Sequence, residues 1–294
     1  MGSGVSISIV DRSDWSFSLA STTVPRKGAR GVRDRACRFV LAVLLLAVAS
    51  LRVTAEVDSE WYVKVRFATT LASEVTFTDL NCSSESPIAL YGCGIGGDGH
   101  PYRTVGNLAT AQSSQIGIGR SVTSRLRLES LLGYQSPHLF RGDTNFLQPD
   151  ELQTVEAEVS TLVALMSMYA DLPTIGVVGN VQVVPFVGIG FGAVRTKIGE
   201  TVMSFPNKVT TVRANGYSDF VWLGTIGIAI EIAPRVKLDL DWRYLDKGDI
   251  RTGRGFGRVE WRDGSRPTLP LDIAPTRAAM KARSLGLSIR FAFR

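Results

Sequence analysis

From Trp61 to Phe293, large apolar side chains return on every second residue, a period that a strand accepts and a helix does not. Trp61, Val63, Val65 and Phe67 alternate with Lys64 and Arg66. Leu126, Leu128, Leu132 and Tyr134 alternate with Arg127, Glu129 and Gly133, and Val187, Ile189, Phe191 and Ala193 with Gly188, Gly190 and Gly192. Phe220, Trp222, Ile226, Ile228, Ile230 and Ile232 face away from Thr225, Gly227, Ala229 and Glu231. Val236, Leu238, Leu240, Trp242 and Tyr244 stand against Lys237, Asp239, Asp241 and Arg243, and Leu285, Leu287, Ile289, Phe291 and Phe293 against Gly286, Ser288, Arg290 and Ala292. Two weaker segments, residues 112–120 and 157–170, bring the expected number of strands to eight. The second is apolar at both parities, so its outward face is not assigned.

The chemistry of the two faces discriminates between barrels. A soluble barrel turns large apolar residues inward, whereas a membrane barrel turns them out to lipid. Here one face is uniformly large and apolar, while the other carries glycine, hydroxyls and charge. Eight strands leave room only for side chains inside, which suits the 29 glycines of the chain. The inward charges are of both signs: Lys64, Arg66, Arg127, Arg243 and Arg290 against Glu129, Asp239 and Asp241. These eight form the expected lumen network, in which Asp239 or Asp241 pairs with Arg66 or Arg290 and closes the bore. Aromatic residues near strand ends, among them Trp61, Tyr62, Tyr134, Tyr169, Trp222 and Tyr244, are candidates for the two interfacial girdles.

Connections alternate in length. Short ones fall at Ser121–Ser124, Pro173–Asn180 and Ala233–Arg235, and long ones near 71–110, 137–156, 197–217 and 248–279. An up-and-down barrel with short periplasmic turns and long external loops shows this order.

The first 55 residues are of another kind. They hold eight basic residues against three acidic ones, whereas the rest of the chain has 25 against 24, so the net charge of +6 is mostly theirs and no nucleic-acid partner is expected. A basic run, residues 26–38, precedes the apolar stretch Phe39–Ala49 and then Val53-Thr54-Ala55, the layout of a secretory signal. Cleavage is expected after Ala55, with a second site near Ala49 and an uncleaved anchor as the alternative. The expected division is therefore residues 1–55, extension and signal, and 56–294, barrel.

Little in the chain points to catalysis. His100 and His138 both fall in expected loops, so no Ser–His pair is foreseen on a wall, and the protein is not expected to be an enzyme. The run Gly92–Gly99 lacks the lysine and the strand-to-helix setting of a phosphate loop and reads as a flexible loop tip. Asp79, Glu85 and Asp98 lack the spacing of a known calcium loop, so neither metal nor cofactor is expected. Cys82 and Cys93 share the first long loop and, in an oxidising compartment, form a candidate disulfide, with two free thiols as the alternative.

Four places resemble a known family: Trp61-Tyr62-Val63, Met168–Leu172, Val184–Gly192, and Asp239–Asp246 followed by Arg251-Thr252-Gly253. In this order they are similar to the opacity-type and outer-membrane-protein-A-type small barrels of Gram-negative bacteria, over roughly residues 58–294. The resemblance implies an eight-stranded antiparallel up-and-down transmembrane β-barrel in the cell outer membrane, exported through the general secretory pathway. It implies a structural or surface-interaction role in envelope integrity, adhesion or antigenicity, the alternative being a narrow porin-like channel. The implied partners are outer-membrane lipid and lipopolysaccharide, the insertion machinery, and host or environmental surface ligands. The C-terminal strand also resembles the assembly signal read by that machinery, through Ser284, Gly286, Ile289, Phe291 and Phe293, with Ile289 where the pattern carries an aromatic and Arg294 after the last one.

Overall fold

The computed structural model describes residues 60–178, 181–252 and 254–293, and the leader, residues 1–55, lies outside them. Every regular element among the described residues is a strand. In chain order these are β1 (Trp61–Thr70), β2 (Ser73–Asp79), β3 (Thr104–Leu108), β4 (Ala111–Ser121), β5 (Leu126–Thr144), β6 (Thr154–Asp171), β7 (Gly176–Val178) and β8 (Val181–Ile198). There follow β9 (Thr201–Ser204), β10 (Lys208–Val212), β11 (Asn215–Ala233), β12 (Val236–Arg251), β13 (Gly255–Trp261), β14 (Leu269–Ile273) and β15 (Thr276–Phe293).

Eight of them close a ring. β1, β4, β5, β6, β8, β11, β12 and β15 pair antiparallel in that order, and β15 returns to β1 with Trp61 opposite Phe293 and Lys64 opposite Arg290. Closure removes the sheet edges that would otherwise leave backbone groups unpaired.

The parity of the wall follows the alternation. Phe67 and Ile189 are 61% and 65% exposed on the outside, whereas Lys64 and Arg66 are each 1% exposed inside. On β6, where the sequence is apolar at both parities, Leu162, Ala164 and Met168 face out and Val163, Leu165 and Tyr169 face in. An outer belt of apolar side chains around buried charge is the wall of a transmembrane barrel; a soluble monomer does not expose so continuous an apolar surface.

The barrel is taller than the alternation suggests. The expected long loops at 71–110 and 137–156 contain wall instead. β2 and β3 extend β1 and β4 in unbroken register, Ser73 opposite Leu108 following Thr70 opposite Ala111, and β5 and β6 run on to Thr144 and Thr154. At the same end, β9 and β10 form a hairpin that pairs with β6, and β13 and β14 continue this sheet to a bridge between Ile273 and Ile88. The alternation was hard to read here because the chemistry of the two faces reverses. On β15, Arg277, Lys281 and Arg283 point outward while Ala278, Met280 and Ala282 are buried. β6 likewise turns Glu156 and Glu158 out and Val155, Ala157 and Val159 in. This upper interior is an apolar core of Val75, Leu108, Phe140, Val159, Ile198 and Met203. Outside it the wall meets water, so the ordinary inside–outside rule of a soluble protein applies.

Two of the proposed girdle aromatics are not on the girdle. Tyr62 and Tyr169 are 3% and 0% exposed and point into the lumen, because they share the inward parity of Lys64 and Ser167.

Candidate functional site

The charged and tyrosine side chains that fill the lower lumen come from five wall strands. β1 contributes Tyr62, Lys64 and Arg66, β5 Arg127 and Glu129, β6 Tyr169 and Asp171, β12 Asp239, Asp241 and Arg243, and β15 Arg290. The eight charged residues marked by the alternation are thus brought together, all of them buried. Arg66 grips Asp241 through Nε at 2.9 Å and through Nη2. Arg290 donates from Nε and Nη2 to Asp239 Oδ1 at 3.0 and 2.7 Å. Lys64 Nζ lies between Glu129 and Asp239, at 3.3 and 3.4 Å. Arg243 approaches Asp241 to 3.2 Å and donates to Gln115 Oε1 and to the Tyr169 hydroxyl, each at 3.1 Å.

Several members of the cluster escaped the sequence reading. Asp171 accepts from Arg127 Nε and Nη2 at 2.9 and 2.8 Å; its signal was its inward parity with Tyr169, two residues earlier. Tyr62 donates to Glu129 at 3.3 Å, and its ring lies under the Arg290 guanidinium at 5.5 Å. Tyr169 and Phe186 receive Arg127 on their faces at 5.0 and 5.1 Å. Aromatic faces suit guanidinium groups, so these rings extend the network without adding charge. Glu231 and Lys237, on the same inward stripe, sit half-exposed at the barrel mouth and pair with each other at 3.5 Å.

Glycine makes this packing feasible. A Cβ on Gly286 would stand 2.3 Å from Arg66 Nη2, so this residue of the candidate assembly signal also forms the shelf on which the Arg66–Asp241 pair rests. Within that signal Ser284 and Gly286 face the lumen, while Ile289, Phe291 and Phe293 face out.

At the upper end the loops are docked. Cys82 and Cys93 form a disulfide with a Cα separation of 4.9 Å. Just beside it, the Asp79 carboxylate accepts the backbone N–H groups of Leu90, Tyr91 and Gly92 at 3.0, 3.0 and 2.8 Å. Burial raises the Asp79 pKa, against the opposing pull of these three amides. The glycine run 92–99 packs against the segment that follows β5. Asn145 donates to Asp98 Oδ1 at 2.7 Å and accepts from the Arg103 amide at 2.8 Å, and a Cβ on Gly96 would lie 2.0 Å from the Asn145 carbonyl oxygen. Two of the carboxylates considered for calcium, Asp79 and Asp98, are therefore engaged in holding loops, and no cluster of metal-ligating side chains occurs among the described residues.

The two histidines separate. His100 stays in the loop, its amide donating to Asp98 at 3.0 Å. His138 lies on the wall strand β5 and not in a loop, as the longer strand requires. It is buried beside a bulge between Gln135 and His138, with Nδ1 3.2 Å from the Ser136 carbonyl.

No family model and no curated protein matches the chain. Solved structures do. The outer membrane protein OprG from Pseudomonas aeruginosa is similar over 80% of this chain and 96% of its own, at 10% identity and a TM-score of 0.41. The outer membrane protease OmpT from Escherichia coli is similar over 83% of this chain and 100% of its own, at 7% identity and a TM-score of 0.49. Neisserial surface protein A is similar over 79% of this chain and 97% of its own, at 14% identity and a TM-score of 0.38. These likenesses carry no residue, ligand or reaction across to this chain.

Proposed function

We propose that this protein is a plugged outer-membrane barrel that anchors in lipid and presents its upper rim for surface interaction. The observation that carries this reading is the interior: inward ion pairs occupy the lower bore, an apolar core occupies the upper one, and both lie inside a wall whose lower belt is apolar outside. Such an interior supports a scaffold over a channel. Leaving one member of a dry ion pair without its partner costs about 3–5 kcal/mol, so the network resists opening. The rim supplies the contact surface. Ile95 and Phe256, 63% and 62% exposed, are apolar side chains that face outward beyond the lipid-facing belt. Lipid and lipopolysaccharide would surround the lower wall, the insertion machinery would read β15, and surface ligands would meet the rim.

The test combines three readouts on protein from outer-membrane fractions. The barrel should migrate differently on a gel before and after boiling, remain silent in planar bilayers, and be nicked by added protease only at the rim. Steady conductance would replace the scaffold reading with the narrow-channel one. Unchanged mobility on boiling would remove the barrel itself.

A further inference from the structure

Between the charged plug and the apolar core the lumen encloses a cavity of about 20 Å³. Arg66, Arg243 and Lys247 line it, and no acidic side chain does. Asp241, which reaches both arginines from below, is the one carboxylate paired with any of the three among the described residues. Lys247 is 3% exposed, and its ammonium donates to Gln135 Oε1 at 2.8 Å and has no ion pair among the described residues. Two further groups on the cavity wall lack hydrogen-bond partners, the Gln135 amide Nε2 and the Thr161 hydroxyl. Both residues are more than nine-tenths buried. Three cationic groups, an amide donor and a hydroxyl thus share one small chamber, and their common deficit is negative charge.

We propose that this chamber is a binding site for a monovalent anion, with chloride as the ion of physiological media. The volume is that of one small guest, being slightly above the ~10–15 Å³ that a single water requires. The chemistry suits it because every unmatched group there is able to donate, and because an excess buried cation is stabilised by a counter-ion that enters with it. The site stands independently of what the rim binds. It makes the ion a structural component of the plug: the anion halves the excess of two positive charges that the four carboxylates Glu129, Asp171, Asp239 and Asp241 leave among Lys64, Arg66, Arg127, Arg243, Lys247 and Arg290.

The experiment is thermal unfolding of the detergent-solubilised barrel at constant ionic strength in sodium gluconate, chloride or bromide. Binding to the folded state alone raises the midpoint with the logarithm of halide concentration above the Kd, by about 3–6 °C when the halide stands at roughly ten times its Kd. Lys247→Gln should abolish the dependence and Lys247→Arg should keep it. Crystals soaked in bromide should give an anomalous peak in the chamber, within hydrogen-bonding reach of Lys247 Nζ. A wild-type midpoint indifferent to halide overturns the proposal, as does a chamber that shows a water and no bromide signal, or a Lys247→Gln variant that responds to chloride as the wild type does. If Lys247→Gln does not fold, the two wild-type readouts decide.

Discussion

β15 crosses two environments without breaking its alternation. From Ser284 to Phe293 it turns Leu285, Leu287, Ile289, Phe291 and Phe293 outward over an inward Gly286, Ser288 and Arg290. From Thr276 to Arg283 the same two faces carry the opposite chemistry, with Arg277, Lys281 and Arg283 outside and Ala278, Met280 and Ala282 inside. β6 makes the same exchange near Thr161. The pleat of β6 and β15 runs unbroken through both halves, the register shifts near the border being taken up by β5 between Gln135 and His138 and by β12 between Asp246 and Asp249, so the difference comes from the solvent outside. Where lipid surrounds the wall, apolar groups belong outside and charge must be satisfied within. Where water surrounds it, charge is cheapest outside and the lumen becomes an ordinary apolar core. On β6 and β15 the reversal therefore marks where lipid gives way to water along the wall.

The largest expected effect belongs to the lower half. Replacing Asp239 and Asp241 together with Asn orphans Arg66, Arg243 and Arg290 in one step and leaves Lys64 with Glu129 alone. With about 3–5 kcal/mol for each buried pair broken, urea unfolding should shift far toward lower denaturant, and transient conductance should appear in planar bilayers. Wild-type stability together with electrical silence would mean that the ion pairs do not hold the plug.

Phe140→Ala tests the upper half. Phe140 is 2% exposed and meets Phe77 edge to face at 5.2 Å. Its removal should weaken the upper core by about 3–5 kcal/mol, and the damage should be local. Rim proteolysis should accelerate while the heat-sensitive gel shift of the lower barrel persists. Simultaneous loss of both signals would show that the halves unfold as one unit, and the distinction between them would then be chemical and not energetic.

A matched pair of outward substitutions tests the border itself. Ile228→Arg places a cation in the apolar belt of β11, at a cost of about 2–4 kcal/mol near the midplane, and insertion into lipid vesicles should fall accordingly. Ala279→Arg, outward on β15 above the reversal, should change stability by no more than about 0.5 kcal/mol. Equal damage from both would move the border above Ala279. Inward Thr225→Arg, on the lumen face beside Ile228, probes the parity: it should hinder insertion less than Ile228→Arg does if the bore has space.

The smallest effect on the barrel wall is expected from reducing Cys82–Cys93. The bond closes a short loop already tied by Asp79, so its contribution should not exceed about 3 kcal/mol. Reduction should speed protease cleavage between residues 82 and 93 and leave the gel shift of the barrel intact. A collapse of the whole barrel on reduction would show that the rim and the wall are coupled more tightly than their separate cores imply.

Period-two alternation and parity were legible from residues alone wherever lipid lies outside, because large apolar side chains there contrast with glycine and charge. The strand identities of β1, β8, β11, β12 and β15, and the inward placement of Lys64, Arg66, Asp239, Asp241 and Arg290, follow from that contrast with no knowledge of neighbours. The upper wall escaped it, since outward Glu156 and Lys197 beside inward Val155 and Ile198 read as a loop or a soluble strand when lipid-facing residues are sought. Only the tertiary structure decided which charges meet. Arg66 and Asp241 are 175 positions apart in the chain, and the choice of Asp241 over Asp239 depends on strand order, stagger and the missing Cβ of Gly286. The chamber at Lys247 was beyond sequence reading for the same reason. Alternation reports which way a side chain points, but whether a buried ammonium finds a carboxylate depends on what the opposite wall of the closed ring places at that height.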